Sequence, residues 1–443
     1  MNEEQNRSER INQEKLAREN RREIDLDRGP LDSSPQLPSE GWPSLQDRMQ
    51  ARQAGLYGST IHTSEEGPDG AAEKREIVDE IEKSDVIVRS HDSIMKRRWR
   101  KFKGLKRGYY AFILLITLYI LSFLLPLLVN NKPLMVSYNG ETYFPAFADL
   151  VSEPYYPWSL FGREGDQSFV DFRELKEEIE ASGDSENSVI MPLYPWDPYE
   201  ADYAGGVPPN EPSSRHMLGT DNGGRDVLAR MVYGFNISIS FGIGLTLVTF
   251  LLGTIFGAMM GYFGGLFDLF FQRVIEIWQT LPGFFVIIIV SSILIPNFAI
   301  LVLILTAFGW MGMTYFMRGE FYREKAKDYV AAAISLGTSD IKIIFRHILP
   351  NSLTPLIATF PFAVVAGITS LVSLDFLGYG LPPPTPSWGE MISQGLSEFS
   401  GNFQNWWLVI VPTVAMFFTL LMVTFIGEAI REAFDPKVFS RLR

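Results

Sequence analysis

The chain has 443 residues, is 47% hydrophobic with 33 phenylalanines, and carries a formal charge of −12. It has no cysteine, which excludes disulfides, thiolate metal sites and cysteine nucleophiles. The acidic balance argues against nucleic acid as a partner, because no basic face survives outside a membrane flank.

Residues 1–95 are dense in Glu, Arg, Gln, Asn, Ser and Pro, with few aromatics, so they bury too little to offset chain entropy and predict a disordered tail. Two pieces have helical patterns: the alternating-charge run before Gly29, and 73–88, where Ile77, Val78, Ile81 and Val88 share a face. The opening MNEEQNRSERINQEK has no apolar core, so no secretory signal is expected. A basic flank follows, Lys96-Arg97-Arg98-Trp99-Arg100-Lys101-Phe102-Lys103 with Lys106 and Arg107, directly ahead of the uncharged run 108–131. About 20 apolar residues cross a bilayer and basic clusters stay inside, so the first helix, within 96–131, is expected to leave the cytoplasm.

Residues 132–230 interrupt the apolar pattern. Between 132 and 214 there are 16 Asp or Glu against four Lys or Arg, with aromatics gathered in PYYPW (154–158) and YPWDPYEADY (194–203). That composition suits a small external subdomain packed on its aromatics, or a docking surface for another protein; it carries no catalytic constellation. The stretch 219–230 reads as an amphipathic interfacial helix with internal Asp–Arg pairs drawn from Asp221, Arg225, Asp226 and Arg230.

Four runs then lack charge: 231–267, 277–317, 353–374 and 403–427. The second is too long for one span, and Pro296-Asn297 divides it. With 235–259 as the second span, the total is six. Gln272, Arg273 and Glu276 open the third span, where ionisable groups tend to snorkel. Six Lys or Arg lie in 318–346, four follow Gly427, and none occurs in 375–402, so both ends and the loop before 353 are expected in the cytoplasm.

That loop, 328–351, reads DYVAAAISLGTSDIKIIFRHILPN. Three consecutive alanines favour a helix over 329–336, and Gly337 is a natural C′ residue. Thr338 and Ser339 are candidate caps for a second helix, Asp340 suits its N-terminus, and Pro350 is expected to close it. On spacing alone this is a cytoplasmic connector. There is no Gly-x-x-x-x-Gly-Lys-Ser/Thr phosphate loop, no nucleophile elbow, and no metal spacing among His62, His91, His216 and His347.

From His216-Met217-Leu218-Gly219-Thr220-Asp221, through Gly224-Arg225-Asp226-Val227-Leu228-Ala229-Arg230, to Asp435-Pro436, the chain resembles the C-type inner-membrane permease subunits of ABC importers for peptides and nickel, the oligopeptide and dipeptide permease family. Within it, the likeness is strongest to the subgroup of peptide and microcin C uptake systems, through Asn131-Lys132-Pro133-Leu134, Tyr143-Phe144-Pro145, SLDFLGYGLP (373–382) and IGEAIREAFDP (426–436). The resemblance implies an all-α integral membrane protein of the inner membrane, with six transmembrane helices of the type I importer fold. Its parts would be a cytoplasmic tail (1–95), the first span (96–131), an external insertion (132–230), a permease core (231–435) and a C-terminal cytoplasmic tail (436–443). It further implies a non-enzymatic subunit that forms half of a peptide pathway in the lipid bilayer. Its partners would be a second homologous permease, an external substrate-binding protein, and an ABC ATPase of two chains or one fused chain. No cofactor is expected on this chain, with ATP and Mg on the ATPase. By the same resemblance the ATPase docks on a short helix of this loop, where Ala332, Ala333, Gly337, Leu349 and Pro350 match the family pattern and Ala331 stands where the family often has Glu; Ser335 and Asp340 are further candidates in the loop. Asp221, Arg225, Asp226, Asp375 and Tyr379 are candidates for the pathway or its external mouth. A permease for nickel chelates is the alternative within the family, and a membrane-anchored scaffold the alternative outside it. A secondary transporter would need ionisable residues within several spans, which four uncharged runs lack.

Overall fold

The computed structural model describes residues 94–152, 154–183, 186–399 and 405–435, all within one compact unit running from Asp92 to Arg443. The tail expected over 1–95, apart from its last two residues, and the tail expected over 436–443 lie outside the described residues.

Two helices open this unit, α1 (Ile94–Gly104) and α2 (Lys106–Ser122), followed by the single turn α3 (Leu125–Leu128). The basic flank does not extend the first span: α1 is bent from α2 by 97°. It is held there by aromatic packing, with Phe102 buried against Trp99, Tyr109 and Phe112 and Arg98 lying over the ring of Phe434 at 4.6 Å.

The insertion corrects the all-α expectation. It contains β1 (Met135–Tyr138), β2 (Glu141–Tyr143) and β3 (Ser188–Ile190) in an antiparallel sheet of order β2-β1-β3, with α4 (Pro145–Asp149) and α5 (Phe172–Ser182) between them. Val136, Trp158, Phe161, Phe172, Leu175 and Ile179 form its core, lined by Tyr138, Tyr143 and Tyr156. Of the two aromatic clusters, PYYPW supplies Tyr156 and Trp158 to this core, whereas the aromatics of 194–203 lie outside it. Asp171 caps α5, accepting from Arg173 N–H at 2.9 Å.

Eight further helices build the apolar remainder: α6 (Val227–Phe263), α7 (Gly265–Gln279), α8 (Gly283–Ile293), α9 (Phe298–Lys325), α10 (Asp328–Ser335), α11 (Asp340–Lys342), α12 (Leu349–Phe376) and α13 (Trp388–Phe399), before the last, α14 (Trp407–Phe434). Among the described residues, four helical stretches are long and apolar enough to cross a membrane, Val227–Phe263, Phe298–Lys325, Asp340–Phe376 and Trp407–Phe434, and the bent pairs α1/α2 and α7/α8 raise the total to as many as six. The expected third span is thus not one straight helix: α7 and α8 meet at 70°, because Pro282 lacks an N–H and restricts the residue before it. Asn297, in contrast, starts α9 cleanly by accepting from Ile300 N–H at 2.9 Å.

Close packing of the spans rests on glycine. Gly253, Gly257 and Gly261 recur every fourth residue on α6 and face α9, where an added Cβ would lie 2.5 Å from Met313 Cβ, 2.5 Å from Thr314 O and 2.6 Å from Phe321 Cβ respectively. Without water to drive helices together, such small-residue stripes let backbones approach and gain dispersion contact. Gly242 and Gly367 bring α6 and α12 together in the same way, and Gly108 seats α2 on Ala429 of α14.

Two local expectations fail. The stretch 219–230 is not a helix: Asp221 folds its first half into a turn, accepting from Gly223 and Arg225 N–H at 2.9 Å each, and α6 begins only after Asp226, which caps it through Ala229 N–H at 2.7 Å. Nor does Pro350 end the second helix of the loop. The chain is helical from Asp340 to Phe376, and Ile343–Ile348 widens into a π-helical turn just ahead of the proline. A π turn loosens the i→i−4 pattern where the ring would clash and the N–H is missing.

Candidate functional site

At one end of the spans, α10 and the segment from Asp340 form a helical hairpin. Val330 and Ala333 share the inner face of α10 and join Tyr262, Met317, Phe321, Ile343 and Ile348 in one buried cluster. Gly337 reverses the chain with φ +72°, and its N–H donates to Ile334 O at 2.9 Å while Thr338 N–H donates to Ala333 O at 3.1 Å. These two bonds complete a Schellman motif, so Gly337 has the role expected of it. Ser339 makes no capping bond; Asp340 instead accepts from Tyr262 Oη at 2.5 Å, tying the hairpin tip to the end of α6.

Among the residues assigned to this loop, Ala331 and Ala332 are exposed, Ser335 returns its hydroxyl to Ala331 O at 3.0 Å, Leu349 is half-buried and Pro350 exposed. Ala333 is the correction. Its side chain packs inward, because residues three apart on a helix share a face and Val330 fixes which face is buried. Beside the exposed Asp340, Lys342 and Arg346, the tip shows large apolar side chains to solvent: Ile334, Leu336 at 85% exposure, Ile341 at 71% and Phe345. In a segment too charged for the bilayer, such a patch marks an interaction surface.

Sequence reasoning missed the strut under the hairpin. Tyr329 Oη donates to Glu324 Oε2 at 2.7 Å, lies 3.2 Å from His347 O and accepts from Asn351 Nδ2 at 3.1 Å, so one hydroxyl joins the incoming helix, the hairpin and the outgoing helix. Nothing in the sequence signals this, since the partners lie 5, 18 and 22 residues away. Tyr329→Phe is expected to cost roughly 0.5 to 1.5 kcal/mol locally, since the hydroxyl is partly open to water, read as faster amide exchange over 328–351 with the spans unchanged.

Between α6, α8, α9 and α12 lies a cavity of about 650 Å3, walled by Leu245, Phe250, Ile287, Phe308, Met313 and Phe362 with Gly309, Gly312 and Gly367 among them. It contains no ionisable side chain; its polar groups are Thr246, Thr249, Thr359 and Ser370. Thr246, Thr359 and Ser370 donate to carbonyls of their own helices at 2.7 to 3.0 Å, while the Thr249 hydroxyl has no partner. Such walls offer acceptor lone pairs and apolar surface without selecting for charge.

The five residues proposed for the mouth do not line this cavity. Asp221 is fully buried, pairs with Arg225 at 2.8 Å and lies 3.3 Å from Arg230 Nε without hydrogen-bond geometry. Arg230, also fully buried, binds Glu390 of α13 and donates to Pro384 O at 3.1 Å. Asp375 accepts from Leu381 N–H at 2.7 Å and from Ser387, fastening the loop that leads to α13. Tyr379 packs against the cluster of Phe241, Leu301 and Leu371. These side chains tie elements together.

Asp226 belongs to a second tie. Its carboxylate accepts from Tyr194 Oη at 2.7 Å and lies 2.8 Å from His216 Nδ1, whose other nitrogen is 3.0 Å from Asp202. The ring of His216 lies against Trp196, tilted by 42° with centroids 4.1 Å apart; Arg215 pairs with Asp202, and the Arg173 guanidinium lies over the Trp196 ring at 3.8 Å. Burial disfavours the charged imidazole, but hydrogen bonds to Asp226 and Asp202 outweigh it and raise the His216 pKa. Because the folded value lies above the ordinary 6.5, this stabilisation is complete below about pH 6.5 and is lost as pH rises through the folded value. Seating of the insertion, followed by Trp196 emission in denaturant, is expected to weaken as pH rises above about 6.5, and His216→Gln to flatten that dependence.

Residues 253–440 match the family described as the inner membrane component of binding-protein-dependent transport systems. The chain is 40% identical over 346 residues to the inner membrane ABC transporter permease protein YejE of Escherichia coli K12, covering 77% of this chain and 97% of that one. The chain belongs to the ABC importer permease family. This permease is also 39% identical over 365 residues to the peptidoglycan transport system permease YejE of Agrobacterium fabrum, covering 77% and 93%. To the oligopeptide permease OppC of Lactococcus lactis the identity is 38% over 228 residues, covering 51% of the permease and 77% of OppC. The longer match with the YejE proteins indicates that the likeness reaches beyond the core that the permease shares with OppC.

Proposed function

We propose that the permease crosses the inner membrane six times, with α2 as the first crossing, the bent pair α7/α8 as the third, and both termini in the cytoplasm. It forms half of the pathway of an ATP-driven importer for peptides or peptide conjugates, such as cell-wall peptides or compounds of the microcin C kind. A second homologous permease supplies the other half, a binding protein delivers substrate on the side of the insertion, and an ABC ATPase, of two chains or one fused chain, docks on the hairpin. ATP and Mg are held by that ATPase, and this chain contributes no covalent chemistry. The 1–95 and 436–443 segments are cytoplasmic tails in this reading, 132–230 is external, and 231–435 is the transport core.

The observation that carries this reading is the hairpin: a charged, membrane-excluded segment that exposes Ile334, Leu336, Ile341 and Phe345 while its inner face is locked to α6, α9 and α12. A partner gripping that tip moves the walls of the 650 Å3 cavity as a rigid unit, because packed helices switch between arrangements more readily than they deform. The cavity's uncharged, hydroxyl-bearing walls suit substrates of varied side chain. The test is uptake of a labelled peptide into proteoliposomes holding the whole complex. Uptake that requires hydrolysable ATP and the binding protein is expected; accumulation equal with a non-hydrolysable analogue would overturn the assignment.

A further inference from the structure

We infer that a crevice of about 390 Å3 between α2, α6 and α14, at the end of the spans that bears the insertion, is a binding site for one acyl chain of a membrane phospholipid.

It is lined by Leu118 and Leu121 of α2, Leu125 of α3, Met231 and Phe235 of α6 and Phe418 of α14, with Trp388 among them. None of the lining side chains is ionisable. The few polar ones are already engaged: Ser122 Oγ donates to Tyr119 O at 2.7 Å and accepts from Asn236 at 2.7 Å, Thr419 donates to Ala415 O at 2.8 Å, and Trp388 Nε1 donates to Met231 O at 3.0 Å. An occupant is therefore offered apolar contact and almost no hydrogen bonding. Water needs two to four polar partners and finds too few, and an extended peptide would leave its backbone groups unpaired at a cost of several kcal/mol each.

Size separates the remaining occupants. One turn of an α-helix with its side chains, about 10 Å across and 5.4 Å long, fills roughly 400 Å3. The crevice would hold barely one such turn, which suits a flexible hydrocarbon chain better than a helix of another subunit. The crevice also opens onto the outside of the helix bundle, where Leu118, Leu121 and Phe418 are 39%, 43% and 55% exposed.

One lining residue comes from the insertion. Leu193 is 88% exposed, and the chain beside it is pinned to the end of the first span by Tyr194 N–H donating to Leu128 O at 2.9 Å and Asn130 N–H donating to Tyr194 O at 3.2 Å. A leucine so displayed is unfavourable in water and favourable against hydrocarbon. An acyl chain in the crevice would touch the insertion, the first span and the last span together.

The probe is phosphatidylethanolamine carrying a diazirine in one acyl chain, incorporated into nanodiscs with the intact complex and photolysed. Adducts are expected to concentrate on 118–129, on 415–422 and on Leu193, several-fold above Ile113 and Leu114, which are exposed on α2 but outside the crevice. Ala415→Trp, which fills the crevice, should reduce those adducts and spare Ile113 and Leu114. Leu193→Ala, a surface change that cannot unfold the spans, should reduce labelling at 415–422. Labelling of the crevice no stronger than at Ile113 and Leu114, labelling unaffected by either substitution, or crosslinks to a second protein chain in its place would each overturn the proposal.

Discussion

Gly257→Leu is expected to remove most of the folded permease from the membrane. The Cβ alone would lie 2.5 Å from Thr314 O and 2.7 Å from Met317 Cβ. The first of these is backbone inside α9, so no rotamer change relieves it, and α6 and α9 must part along the stripe that also seats Gly253 and Gly261. Overpacking costs about 1 to 3 kcal/mol where neighbours can shift; here the loss should reach roughly 3 kcal/mol or more, because separating the helices also forfeits contacts along the whole interface. Detergent-solubilised yield and thermal midpoint measure it. Gly312→Leu is the control, since nothing lies within 4 Å of an added Cβ there, and it should fold while intruding on the cavity that Gly312 lines.

Glu390→Ala should have an effect of similar size by another route. Arg230 is fully buried, and Glu390 is its closest carboxylate, with Asp221 at 3.3 Å in poor geometry. Removing one member of a buried pair leaves a charge that water cannot reach, at about 3 to 5 kcal/mol. The loss is a penalty on a guanidinium left with only Asp221 at 3.3 Å more than the net worth of the pair, so Arg230→Met combined with Glu390→Ala should recover much of the stability lost in Glu390→Ala. A double-mutant cycle on thermal stability measures the coupling. Additive losses would show that the two side chains act independently.

The membrane spans were legible because an uncharged apolar run of about 20 residues matches the hydrocarbon thickness of a bilayer and exceeds what a buried strand or short core helix requires. Gly337 was legible too, since a reversal after an alanine-rich helix calls for positive φ. Pro350 misled for a physical reason: proline ends a helix when the i→i−4 pattern is regular, and the π turn at Ile343–Ile348 removes that regularity. Ala333 misled because three consecutive alanines give no amphipathic pattern, so only Val330 set which one turns inward. The strands of the insertion are three or four residues long, too short for alternation to register. The stripe Gly253, Gly257 and Gly261 was present in the sequence at a four-residue period, and reading it would have located the α6–α9 interface. Tyr329, His216 and Glu390 could not have been found that way: their partners are set by tertiary folding, in the case of Arg230 and Glu390 across 160 residues.

The proposal that an ATPase docks on the hairpin is tested most directly by replacing its exposed apolar tip. In proteoliposomes containing the assembled importer, ATP-driven peptide uptake is measured for the Leu336→Asp, Ile341→Asp double substitution, two positions that are 85% and 71% exposed and so leave the folding core untouched. Uptake is expected to fall about tenfold or more, the equivalent of roughly 1.4 kcal/mol lost from the ATPase contact, with both permease subunits still present at normal amounts. Uptake at the unsubstituted rate would contradict the hairpin as the point where ATPase work enters the membrane.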